Sequence, residues 1–118
     1  TLLKLNKEAE RIKDYDLLCW STMMIAERSF QVNSFNEART YYRKALNIAE
    51  KNGLELFKVR IYGGLAEIEL SNNQLVAASL NIKKGYKYYN KQRNRENYET
   101  NFPYIIHCNI VFYFKCIR

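Results

Sequence analysis

Apolar residues in the middle of the chain recur at three- and four-residue steps. Phe35, Ala38, Tyr42, Ala45 and Ala49 fall on one face of a helix predicted over 35–52. Ser34, with Glu37 three residues on, has the spacing of a capping box, in which serine and glutamate satisfy amides of the first turn reciprocally. Gly53 supplies the stop, because glycine takes the left-handed turn after a helix without strain. Other segments arrange themselves around this helix. Residues 1–13 read as the end of a helix with a Leu2, Leu5, Ala9 stripe, and Asp14 or Asp16 can cap the next one. That helix is predicted over 17–31, with Leu18, Met24 or Ile25, and Ala26 facing inward. A helix over 56–70, a turn at Ser71-Asn72-Asn73 and a helix over 74–92 follow. Thr1 opens the sequence inside a helical pattern, which reads as a fragment or a processed product.

The pattern returns after forty residues. Ala26 matches Ala66, Glu27 matches Glu67, Asn33 matches Asn73, Ala38 matches Ala78 and Ala49 matches Ala9. The central stripe becomes Leu75, Ala78, Ile82, Gly85 and Tyr89. The shared residues are the small ones and those in the turns, where packing is tightest. Two helices joined by a short turn cannot bury both faces alone, and stacking a further pair against them closes a continuous core. Ala26, Ala38 and Ala45, with Ala66, Ala78 and Gly85, are then the close crossings. The layout is a repeat region over 1–98, with 1–13 ending one repeat and pairs over 17–53 and 55–92, and a tail over 99–118.

These residues resemble the tetratricopeptide repeat. Ile25-Ala26, Asn33, Phe35, Glu37-Ala38, Tyr42 and Ala45-Leu46 follow that family's pattern, and Tyr62, Leu65-Ala66, Asn73, Leu75, Ala77-Ala78, Ile82 and Gly85 follow it more loosely. The turn glycine is Asn in both copies, and the helix-ending proline is missing. The forty-residue period is long for the family, and the extra length is placed at Gly53–Lys58. Long repeats of this kind look like those of peptide-sensing bacterial regulators and of eukaryotic scaffold proteins. The resemblance implies an all-α chain of antiparallel helix pairs stacked as a right-handed superhelix, an α-solenoid fragment. Its function would be to bind a protein or peptide in a groove lined by the first helix of each pair. An alternative is the peptide-sensing part of a transcriptional regulator. Carried over by pattern, the groove residues are Trp20, Met23, Glu27, Phe30 and Gln31, then Arg60, Gly63, Glu67, Leu70 and Ser71. One subclass clamps a ligand's terminal carboxylate with Lys and Asn at positions that here hold Met23, Glu27, Gly63 and Glu67, so that mode is disfavoured. Glu27 and Glu67 would suit a ligand with basic groups instead. Trp20 and Phe30 are aromatic anchors in this reading, and core residues in the plainer one.

The net charge of +7 changes the picture only locally. Six of the 19 basic residues, Lys83, Lys84, Lys87, Lys91, Arg93 and Arg95, lie in a run without acids, and the remaining 13 nearly balance the 12 acids. Interleaved with Tyr86, Tyr88 and Tyr89, this run is the candidate for nucleic acid, since lysines meet phosphates and tyrosines stack on bases. Its plainer reading is a solvated helix face. Cys19, Cys108 and Cys116 are odd in number and have no metal-ligand spacing, which suggests reduced thiols in a cytoplasmic or nuclear protein. His107 beside Cys108 cannot form a thiol–imidazole pair on one helix or strand face. No phosphate loop, metal-ligand set or catalytic constellation is present in the sequence, so neither enzyme activity nor a cofactor is expected.

The tail, 102–118, is β-branched and aromatic, and too short and interrupted to span a membrane. It reads as a capping helix on the last pair or as an alternative end outside the repeat. No membrane partner is expected.

Overall fold

A computed structural model describes residues 1–96 of the chain, with side chains to Lys91. The described residues form five helices and no strand: α1 (Leu2–Ile12), α2 (Tyr15–Gln31), α3 (Phe35–Asn52), α4 (Glu55–Ser71) and α5 (Leu75–Glu96). The tail 99–118, with His107, Cys108 and Cys116, lies outside the described residues.

The first four helices end in the same way. Lys13, Asn33, Gly53 and Asn73 all have positive φ, between 58° and 65°, and they are twenty residues apart. The residue after each returns its amide to a carbonyl five positions back. Asp14 bonds Ala9, Ser34 bonds Ser29, Leu54 bonds Ala49 and Gln74 bonds Glu69, at 2.8–3.0 Å. This is the Schellman closure, which satisfies carbonyls that a helix end would leave unpaired. The backbone thus repeats every twenty residues, one helix and one turn, while side-chain character repeats every forty.

Only Gly53 meets the left-handed turn without a β-carbon. A Cβ built there would touch nothing within 4 Å. Gly53→Ala therefore costs only its backbone conformation, about 1–2 kcal/mol, measurable by urea unfolding. A loss outside that range would mean that the turn is held differently.

The turns correct two expectations. The capping box does not form, because Ser34 makes no side-chain cap bond. Its amide, which Glu37 would have bonded, is already given to Ser29 at 2.8 Å. The extra repeat length also does not sit in a loop at Gly53–Lys58, since α4 begins at Glu55. It is carried by helices of 17 and 18 residues. Asp14 does cap α2, accepting from the Leu17 amide at 3.1 Å.

The chain divides into two compact units, between Phe57 and Lys58. In the first, α2 packs against both α1 and α3. On the α1 side, Asn6 donates to the Ser21 and Thr22 hydroxyls at 2.8 Å. Those hydroxyls donate in turn to the Leu18 carbonyl. On the α3 side, Cys19 Sγ reaches the Ala45 carbonyl at 3.4 Å, and Phe30 tilts onto Phe35 with centroids 5.5 Å apart. The expected α3 stripe is the buried one: Ala38, Tyr42, Ala45 and Ala49 are buried, and Phe35 is half-buried.

In the second unit α4 and α5 form the corresponding pair. Ala66, Ala78 and Ile82 cluster with Leu70, and Val59 packs with Tyr89 and Tyr88. Asn81 donates to the Glu69 carboxylate at 2.6 Å. Near the turn, contacts join residues close in sequence, and far from it they join residues thirty apart, as antiparallel helices require. Leu75 departs from its expected place in the stripe and stays 63% exposed.

Cys19 is fully enclosed. Burial, with a smaller effect from the Asp16 charge, pushes its thiol up to about 12. The folded chain therefore holds Cys19 as an unreactive thiol at neutral pH. In a Cys108→Ser/Cys116→Ser background, a disulfide reagent at pH 8 should label Cys19 only after denaturant is added. Rapid labelling of the native protein would contradict its burial. The sign for stability follows from the raised thiol. Its contribution is complete below the ordinary thiol range and declines as pH rises from there towards about 12.

Candidate binding face

Within the first unit, with α1 on one side of α2 and α3 on another, one stripe of α2 remains. It comprises Asp16, Trp20, Met24, Glu27 and Gln31, spaced by four, four, three and four residues. Asp16 and Gln31 are exposed, Met24 and Glu27 half-buried, and Trp20 is 37% exposed. Tryptophan at that level is costly to leave in water. It lies between two carboxylates on the same helix face, which gives the stripe an apolar centre and an acidic surround.

The expected groove residues separate accordingly. Trp20, Glu27 and Gln31 share the stripe. Met23 does not, because it is fully buried and presents nothing to a ligand. Its neighbour Met24 takes the place on the stripe. Phe30 is half-buried and is used against Phe35. Asp16 and Met24 are members that the sequence places elsewhere, Asp16 as a candidate cap and Met24 or Ile25 as inward-facing; the cap is Asp14, and Met24 is only half-buried. Their spacing from Trp20 was the available signal.

In the second unit the forty-residue counterparts on α4 are Arg60, Gly64, Glu67 and Ser71. Arg60 is half-buried, while Glu67 and Ser71 are exposed. The Ser71 hydroxyl is occupied by the Glu67 carbonyl at 3.0 Å. Gly63 is buried and Leu70 is half-buried against the Ala66 cluster.

The basic run has a different geometry. Lys58 and Tyr62 are one turn apart on α4, as are Lys84 and Tyr88 on α5. The two tyrosine rings lie nearly parallel, with centroids 6.0 Å apart and an interplanar angle of 10°. Each lysine lies over the ring from the other helix. Lys58 is 4.9 Å from the Tyr88 centroid and Lys84 is 5.9 Å from that of Tyr62. This crossed arrangement explains how Lys58, only 9% exposed, is accommodated. Tyr89 is buried in the core, and Tyr86 is tilted towards it at 6.1 Å. Lys83, Lys84, Lys87 and Lys91 are exposed on α5. The side chains of Arg93 and Arg95 lie outside the described residues.

Among the described residues, no group of three or more His, Cys, Asp or Glu side chains could hold a metal ion. No described helix is long and apolar enough to cross a membrane. An apolar depression of about 320 Å³ lies between the start of α1 and the end of α2, lined by Leu2, Leu3, Ile25 and Val32. Over the described residues, the fold and these faces define an all-helical chain of paired helices. No protein-family model, curated protein or solved structure matches the chain.

Proposed function

We propose that the chain is a tetratricopeptide-type scaffold module whose pairs stack as a right-handed superhelix, and that it binds a protein or peptide segment bearing basic side chains. The observation that carries this reading is the α2 stripe, where a part-exposed Trp20 sits between Asp16 and Glu27 on a helix whose other sides are occupied. An apolar or aromatic ligand group would cover the indole. Lysine or arginine on the ligand would meet the flanking carboxylates. Arg60 and Glu67 hold the forty-residue counterparts of Trp20 and Glu27 in the second pair. The same face would serve in a scaffold or in a peptide-sensing regulator, because the two differ in what is joined to the module.

Nucleic acid is the weaker reading. Of the three tyrosines in the basic run, Tyr89 is buried and Tyr88 is stacked on Tyr62, so two of its base platforms are already used.

The test is binding of labelled amphipathic peptides of equal hydrophobicity and graded charge, followed by fluorescence anisotropy. Basic peptides should bind best. Trp20→Ala should weaken them by about 1.4 kcal/mol or more, roughly tenfold, and Glu27→Gln should reduce the preference for positive charge. Equal binding across the charge series, or no effect of Trp20→Ala, would refute the assignment of this face.

A further inference from the structure

The outer face of α5 carries a second pattern, unrelated to the α2 stripe. Val76, Leu80, Lys83 and Lys87 follow one another at four, three and four residues and form a single line along the helix. Val76 is 78% exposed and Leu80 is 54% exposed, and both lysines are exposed. Lys84 turns aside to the Tyr62 ring, which leaves Lys83 and Lys87 as the outward cations. Among the described residues neither has an ion-pair partner. No acid occurs between Leu75 and Arg95.

The same line on α3, forty residues earlier, is Asn36, Thr40, Arg43 and Asn47. All four are exposed, and none is a large apolar residue. This line is therefore a solvent-facing one in the helix pair, and its polar residues satisfy themselves locally. Thr40, for example, donates to the Asn36 carbonyl at 2.9 Å. On α5 two of those positions hold valine and leucine, and the other two hold lysine.

We infer that this line is a docking surface for an acidic amphipathic helix of a partner protein. The chemistry is segregated lengthwise, with apolar side chains over the first turns and cations over the next. A rod-like ligand with two apolar residues one turn apart, followed by acids on the same face, matches it by both charge and register. A membrane surface does not match, because the main apolar stripe of α5, Ala78, Ile82 and Tyr89, faces the core and leaves only a small apolar patch outside. A polyphosphate backbone would engage the lysines but leave Val76 and Leu80 without a role.

The test uses a labelled synthetic helix with two leucines one turn apart, glutamates at the next two turns of the same face, and alanine elsewhere. It should bind the full chain saturably. Lys83→Glu/Lys87→Glu and Val76→Ser/Leu80→Ser should each weaken it about tenfold or more. Melting curves will show that these surface variants stay folded. Removing the leucines from the peptide should weaken binding as much as the Val76/Leu80 change does. Four results would each overturn the inference: no binding of the peptide; binding that ignores Val76 and Leu80; a single-stranded oligonucleotide that binds more tightly than the peptide; or phosphatidylserine vesicles that do so.

Discussion

Met23→Ala lowers the stability of the chain by about 2–5 kcal/mol, while the same truncation one residue later, at Met24, costs about 1 kcal/mol or less. Met23 is fully buried on α2. Removing its thioether arm leaves a void that rigid neighbours cannot fill, so the cost of the cavity adds to the lost burial. Met24 is only half-buried on the open stripe and leaves no closed void when shortened. The two losses differ because adjacent helical positions point about 100° apart, one into the core and one away from it. Chemical denaturation of both variants checks it. Equal losses at the two positions would mean that the register of α2 is misplaced, and with it the Trp20 stripe.

Ala38→Leu, which enlarges a side chain instead of shortening one, destabilises by about 1–3 kcal/mol. Ala38 is fully buried at the start of α3, and its counterpart Ala78 is enclosed with Ala66 and Ile82. A methyl group fills such a site. A leucine must push the helices apart or leave its rotamer, and either costs energy in a close-packed interior. An unchanged melting temperature would argue against a close crossing here. Ala78→Leu should behave alike if the forty-residue correspondence is physical.

The helix pairs were legible because α3 and its copy carry their markers in the residue types themselves. Alternation at three and four residues, a glycine stop and repeated alanines fix α3 over 35–52. α2 was less legible. A helix covered on two sides has no single apolar stripe, and its buried set includes Ser21, Thr22 and Ser29 beside Leu18, Cys19, Met23 and Ala26. These hydroxyls are inside because carbonyls of their own helix, and Asn6 from α1, satisfy them. No hydropathy pattern could select them.

The twenty-residue backbone period was hidden for a related reason. Its left-handed positions hold Lys, Asn, Gly and Asn, and only glycine and asparagine favour that conformation. For the binding face, spacing placed Trp20, Glu27 and Gln31 together, but it could not say which side of α2 the neighbours cover. The repeat pattern points to Met23 for that reason, whereas Met23 is fully buried and Met24 is half-buried on the stripe.

Trp20 is the single tryptophan of the chain, so its emission reports on the proposed face without a label. Titrating the protein with a basic amphipathic peptide free of tryptophan tests the central claim most directly. The account predicts a saturable blue shift as the part-exposed indole is covered, an affinity that falls with salt, and weaker binding in Glu27→Gln. Saturable binding of that peptide with the emission unchanged would place the ligand elsewhere and contradict it.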